Sequence, residues 1–257
     1  DIWWRMQNDV HFNTIAEQFE QNVYGSSKGF IRWHVLWEDV LTELPQLEQG
    51  GLSVLDAGGG AGRMTLALAK LGHRVTLVEP AKEMLEKAQH SAASENLSDI
   101  IFINEALQDF KAEQPFDIIL NHAVLEWLAK PQKALEHLTK QLKPSGYLSL
   151  MFHNRNAALF KNILAGDFSP KFLQEESYSS GWQEHTRPLY PETVTTWLDE
   201  CRVQVQSKAG IRIFHDHITE EKREGKLSQL LALEKTLRKR EPFASLAQHI
   251  HIVGQKL

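Results

Sequence analysis

Apolar positions three and four apart run through residues 10–23 (VHFNTIAEQFEQNV) and again through 27–46, the period of amphipathic helices. The pattern then changes. LSVLDAG, RVTLVEP and IIFINEA are short apolar runs that end in turn or polar residues, the mark of buried strands. Between them MTLALAKL and MLEKAQHSAA keep the helical period. FDIILNHAVLEWL begins as a fourth strand and runs into a short helix. PQKALEHLTKQL is a helix opened by Pro131 and closed by a turn at Pro144, Ser145 and Gly146, and YLSLMFHN is a fifth strand. This alternation predicts an α/β fold with a doubly wound, mostly parallel sheet joined by right-handed crossovers.

After Asn154 the rhythm breaks. Residues 155–190 hold no clear strand, and SYSSGWQEHTRPLYP is polar and turn-rich, which predicts an insertion over the carboxyl edge of the sheet. PETVTTWLDE reads as a helix with proline at its start. RVQVQSKAGIRIFHD reads as a strand, a turn at Lys208–Gly210 and a strand continuation. Leu227–Leu237 is a helix and HIHIVGQKL a last strand, completing seven strands. The expected organisation is one domain over 1–257: a helical cap (10–46), a core (52–154), the insertion (155–190) and elements completing the sheet (191–257).

Composition narrows the class only slightly. With 257 residues, 42% of them hydrophobic, the chain can bury one large core. Its one cysteine, Cys201, excludes an internal disulfide and a cysteine-based zinc site, so no metal is expected. No apolar run reaches the roughly 18 residues of a membrane span, and DIWWRMQND lacks the basic-then-apolar layout of a secretory signal. The expectation is a cytoplasmic protein without a membrane partner. The five residues before Met6 are assigned no function.

A net charge of −5 argues against indiscriminate nucleic-acid binding, which rests on neutralising phosphates. The charge is uneven, though. From Glu221 to Arg240 there are seven cationic and three anionic side chains, either a solvated helix face or an anion-binding patch.

The most informative stretch is VLDAGGGAGR, with Gly58, Gly59, Gly60 and Gly62 between a strand and a helix. Ligands of open α/β sheets bind at that edge, and glycine lets a ligand approach the main chain. A tight turn without a ligand would need one or two glycines. The dinucleotide fingerprint fails, because its third glycine would fall on Arg63 or Thr65. The loop instead resembles the D-x-G-x-G-x-G pattern of class I S-adenosylmethionine methyltransferases, beginning at Asp56. Glu79 ends the second strand, where a carboxylate can accept both ribose hydroxyls. Gln108 and Asp109 follow the third strand, where an adenine amino group is expected; plain loop polarity explains them equally well.

The segment NTIAEQFEQNVYGSSKGFIRWHVLWEDV, with DAGGGAG, NHAVLEWLAKPQKAL, LSLMFHN, GIRIFHDH and HIHI, resembles the bacterial tRNA 5-carboxymethoxyuridine methyltransferases over most of the chain. The resemblance implies methyl transfer from S-adenosylmethionine to the carboxylate of 5-carboxymethoxyuridine at the tRNA wobble position, with the anticodon region as partner and a homodimer as one possible assembly. It implies that Arg32 meets the methionine carboxylate of the cofactor and that Gly58, Gly59 and Gly60 line it. Glu79 and Pro80 then follow its ribose, Gln108 its adenine, and His122 and Ala123 lie beside it.

A carboxylate acceptor needs no catalytic base, so His122 is the one residue weighed for a catalytic part, against an ordinary structural histidine at a strand end. Arg32, Lys28, Arg187, Arg212, His215 and His251 are the cations or potential cations available to hold the acceptor, Tyr24 is a further residue weighed for the nucleoside, and Trp182 is the best candidate for stacking on a splayed base. Trp127, and at least one of Trp33 and Trp37, read as core. Relatives can carry a lysine-rich run in the insertion; here Lys171, His185 and Arg187 stand among Glu175, Glu176 and Glu184, so the basic 222–240 region is the other source of tRNA contacts. Two rival readings stay open: a methyltransferase for a small carboxylic acid, and a non-catalytic tRNA-binding protein.

Overall fold

A computed structural model describes residues 26–169 and 186–257. The expected helix over 10–23, Tyr24, Trp182 and most of the expected insertion's polar run lie outside them. Helix α1 (Ser27–Glu43) begins where Ser26 Oγ accepts the Gly29 N–H at 3.2 Å, and it buries Ile31, Val35, Leu36 and Val40 on one side. Then come β1 (Ser53–Ala57), α2 (Arg63–Lys70), β2 (Arg74–Val78), α3 (Lys82–Ser94), β3 (Ile100–Ile103) and β4 (Phe116–His122). The chain continues through α4 (Pro131–Lys140), β5 (Leu142–His153), α5 (Arg155–Leu164) and α6 (Pro191–Glu200). It ends with β6 (Val203–Ile211), α7 (Glu220–Arg223), α8 (Leu227–Leu237) and β7 (His249–Lys256).

The seven strands lie in the order β3-β2-β1-β4-β5-β7-β6. β1 to β5 pair in parallel, and β7 is antiparallel to both its neighbours. Alternate residues of one strand serve opposite cores. Leu55, Ile119, Leu150 and Ile252 face the α4 and α6 side, with Leu135 and Leu198. Their neighbours Val54, Ile118, Met151 and Val253 pack with Ile31 and Val35 of α1, Leu68 of α2 and Leu230 of α8. From β1 the chain winds outward to β3, then returns to β4 beside β1. That reversal opens a crevice at the carboxyl ends of the strands.

Three local expectations change. The turn at Pro144, Ser145 and Gly146 is part of β5, absorbed by a register shift against β4 with Ser145 at φ 59°. The turn at Lys208–Gly210 is likewise strand: β6 runs straight through, and a Cβ on Gly210 would lie 2.6 Å from Ala244 O, so glycine there serves close packing. Residues 155–164, expected only as part of the insertion, form α5, whose start Asn154 caps by accepting the Asn156 N–H at 3.1 Å.

Candidate active site

The crevice is a cleft open to solvent on one side. α1 supplies Gly29, Arg32, Trp33 and Leu36, the i, i+3, i+4, i+7 face of one helix. Asp56, Gly58, Gly59 and Gly60 come from the end of β1 and its loop, Glu79 and Pro80 from the end of β2, Gln108 from beyond β3, and His122 and Ala123 from the end of β4. All ten residues expected around a cofactor therefore line one cleft.

The glycine loop is more structural than its sequence suggests. Gly58 has φ 76°, and a Cβ there would meet Val124 Cγ2 at 2.6 Å; a Cβ on Gly59 would come within 2.4 Å of Asp56 Oδ2. Packing alone thus requires these two. Gly60 differs: at φ 57° it needs glycine for its backbone, while its missing side chain would face only Met84 Cε at 3.3 Å. It is the position where the main chain is bared to the cleft.

The two acids of the cleft have different surroundings. Asp56 is 2% exposed and accepts from Thr65 Oγ1 at 2.6 Å; burial raises its pKa to about 6 although Thr65 stabilises the charge. Glu79 is 5% exposed, and its oxygens accept the Gly60 N–H at 2.9 Å and the Ala81 N–H at 2.8 Å. Burial raises its pKa too, and the nearby Asp56 charge adds to the rise. Each oxygen still has a second lone pair, and Glu79 faces the cleft, so a diol could be bound bidentately.

His122, enclosed by protein but open to the cleft, has its pKa pushed well down by desolvation and by the charges of His251 and Arg32. Its neighbour Ala123 takes φ 58°, unusual for a residue with a side chain and found at the strand end where function concentrates. Trp127, expected as core, is 7% exposed and also lines the cleft. Trp33 and Trp37 stack with ring centroids 5.6 Å apart, and the Arg63 guanidinium lies 4.3 Å over Trp33. The helical spacing from Gly29 could have revealed Trp33 as a cleft residue; nothing in sequence pointed to Arg63.

Lys28, Arg187, Arg212 and His215, described residues weighed for the nucleoside, are not among those lining this cleft. His215 is fully buried, its Nε2 2.8 Å from both Ser27 Oγ and Arg223 Nη1 and its Nδ1 3.0 Å from Asp216 Oδ1. Lys28 is exposed, and its charge contributes to keeping the half-buried Asp216 ionised. Arg187 is half-buried and donates its backbone N–H to Glu126 O at 2.7 Å. Arg212 is buried beyond the end of β6 at φ 64°; Asp216 accepts from its Nη2 at 2.9 Å, and its Nε has no partner among the described residues. Beside it His249 Nδ1 is likewise unpartnered, and its pKa is pushed down by burial and by the charges of Arg212, His153 and Arg32. His249 thus lies within the fields of a cleft cation, Arg32, and of Arg212.

A family model described as a methyltransferase domain matches residues 48–200, the span that contains the glycine loop, Glu79 and His122. The chain is 37% identical over 252 residues to the tRNA 5-carboxymethoxyuridine methyltransferase of Escherichia coli (strain K12), covering 96% of this chain and 97% of that one. This chain belongs to that family. It is a methyltransferase that uses S-adenosylmethionine. A more distant relative, the ubiquinone biosynthesis O-methyltransferase of Xanthomonas campestris pv. campestris (strain B100), is 30% identical over 165 residues, 63% of this chain. Among solved structures, the magnesium protoporphyrin IX methyltransferase from Synechocystis PCC 6803 with bound SAH shares the fold: TM-score 0.65, 14% identity, 96% of each chain.

Proposed function

We propose that the chain esterifies the carboxylate of 5-carboxymethoxyuridine at the wobble position of tRNA, with S-adenosylmethionine as methyl donor, in the cytoplasm. The observation that carries this reading is the cleft itself: Arg32, bare Gly60 and Glu79 converge in a chain aligned almost end to end with an enzyme of that name. The residues fit the cofactor in chemistry. Arg32 offers a cation for its α-carboxylate, Glu79 two acceptors for its ribose diol, and Met84, Leu107 and Leu128 an apolar wall for its adenine. Bound there, the cofactor supplies a methyl group on a positively charged sulfur.

An ordinary carboxyl group has a pKa of about 4, so the acceptor is already ionised near neutral pH and needs no base. One of its oxygens forms the new O–CH3 bond as the S–CH3 bond breaks, the bonding pair staying on sulfur, and no proton moves. The protein's work is alignment: holding acceptor oxygen, methyl carbon and sulfur in line while excluding water. Arg212 and His249, whose buried nitrogens have no partner among the described residues and lie at the same sheet edge, are the groups we assign to the side of the nucleoside. Lys28 and Arg187, outside the cleft, suit the flanking anticodon backbone instead.

The deciding experiment incubates the protein and S-adenosylmethionine with tRNA containing 5-carboxymethoxyuridine, then analyses the digested nucleosides by mass. The methyl ester, absent without the cofactor, is the expected product. No ester from a preparation shown to bind S-adenosylmethionine would overturn the acceptor and direct the search to small carboxylic acids.

A further inference from the structure

Four side chains form an unbroken line from the cleft to the apolar side of α1. His122 Nε2 lies 2.8 Å from Ser149 Oγ, Ser149 Oγ lies 2.8 Å from His251 Nε2, and His251 Nδ1 lies 2.7 Å from Asp39 Oδ2. Arg238 Nε donates to the other oxygen, Asp39 Oδ1, at 2.7 Å. Ser149, His251 and Asp39 are all 0% exposed, so no water competes along the line. The rings of His122 and His251 also meet edge to face, with centroids 5.7 Å apart.

Such a line has a direction, because every hydrogen bond needs one donor and one acceptor. Burial opposes the charge on Asp39, but the bonds from His251 and Arg238 and the Lys239 charge outweigh it and hold its pKa below the ordinary value. Asp39 is therefore a carboxylate that only accepts, and His251 Nδ1 must carry a proton. Two settings remain. If His251 is neutral, its Nε2 accepts from Ser149, Ser149 accepts from His122 Nε2–H, and His122 Nδ1 is a bare lone pair. If His251 is an imidazolium, its Nε2–H donates to Ser149, Ser149 donates to His122 Nε2, and His122 Nδ1 carries the hydrogen. No heavy atom has to move between the two.

We propose that this line is a positioning device: it sets which nitrogen of His122 is protonated, and the productive setting presents Nδ1–H to the acceptor carboxylate. The inference rests on the carboxylate acceptor argued above. A carboxylate can only accept, so a lone pair at Nδ1 would repel it, whereas Nδ1–H holds one oxygen and leaves the other directed at the methyl group. His122 touches the substrate in this account; Ser149 and His251 act through it. The groups facing His251 are Asp39 from α1, His122 from β4 and Ser149 from β5, with Arg238 and Lys239 reaching it through Asp39. Its partner across β6 is the uncharged Ala209. With a neutral His251 the Nδ1 of His122 is an acceptor instead of a donor, and the acceptor carboxylate loses its hold.

Ser149→Ala tests the device, with Ser149→Thr as the variant that keeps the hydroxyl. The readouts are kcat/KM for ester formation, S-adenosylmethionine affinity, and the 15N shifts of His122, which report its tautomer. Ser149→Ala is expected to lower kcat/KM about ten- to hundredfold, the size of one hydrogen bond to a charged group, with cofactor affinity unchanged and the His122 shifts moved. Threonine restores both. Wild-type kcat/KM in Ser149→Ala, or unmoved nitrogen shifts, overturns the proposal. Should that variant fail to fold, His251→Gln decides: its amide N–H must serve the acceptor-only Asp39, which leaves Oε1 facing Ser149 and strips the hydrogen from His122 Nδ1, so kcat/KM falls about tenfold or more with cofactor affinity unchanged, and a wild-type kcat/KM refutes the device. If the wild type forms no ester at all, the acceptor reading has failed, while the nitrogen shifts still judge the line itself.

Discussion

Asp56 and Glu79 in the cleft, and Lys235, Arg238 and Lys239 near the end of α8, are charged side chains set against regular structure, but their neighbours differ. The two acids are buried with backbone and hydroxyl donors, and no cation pairs with them among the described residues. Burial keeps both pKa values high, which means the fold tolerates charges it does not neutralise. On α8 the reverse holds. Lys235 and Arg238 meet Glu38 at 2.5 and 3.3 Å, Arg238 also meets Asp39, and Lys239 pairs with Glu43. Three of the seven cations in the run read as either a solvated face or an anion-binding patch are the counter-charge of α1. An excess of charge in a sequence marks a ligand site only where the fold leaves that charge unspent.

Glu79→Ala strikes the comparison hardest. If the unpaired carboxylate is kept for a ribose diol, losing two charge-assisted hydrogen bonds should weaken S-adenosylmethionine binding by about a hundredfold or more, as measured by calorimetry. A change under about threefold would mean that Glu79 only ties Gly60 to Ala81.

Asp56→Asn tests the cost of the other acid. The folded pKa, about 6, stands above the ordinary 3.8, so the native state binds this proton more tightly than the unfolded chain does. Stability should therefore rise as pH falls from about 6 toward 4, by up to about 3 kcal/mol from this one group, and the asparagine variant should lack that rise. Denaturant titrations of both proteins at pH 4, 5, 6 and 7 measure the difference. Parallel curves would show that Asp56 is not strained by its burial.

Much of this contrast could be read in the sequence, and the unread part has physical reasons. The α/β alternation, the carboxyl-edge loop and the strand-end Glu79 are local patterns, so the ten cleft residues were within reach. The glycines also serve packing that the sequence did not show, because the contacts that require Gly58 and Gly59 come from Val124 and Asp56, and such packing has no one-dimensional signature. Asp39 did leave a trace: it stands four residues after Val35 on the apolar side of α1, where a buried acid demands partners. Those partners, His251 and Arg238, are about 200 positions away and could not be named without the fold. The same distance hid the pairing of α8 with α1.

Lys235→Gln combined with Lys239→Gln is the gentlest test and bears on the α8 side alone. Both lysines lie near the surface, where an ion pair contributes roughly 0–1 kcal/mol, so the double variant should lose about 1 kcal/mol of stability or less. Arg238 must stay, because the Asp39 it holds is fully buried and an unpaired charge there would cost far more. If these lysines are spent on α1, the KM for tRNA and its salt dependence should be nearly those of the wild type. If they also reach phosphates, each lost contact should flatten the salt dependence by about one unit of slope and weaken binding at every salt concentration. A flattened slope without a loss of stability would return the basic stretch to the substrate surface, and α1 would then be the partner it leaves when tRNA arrives.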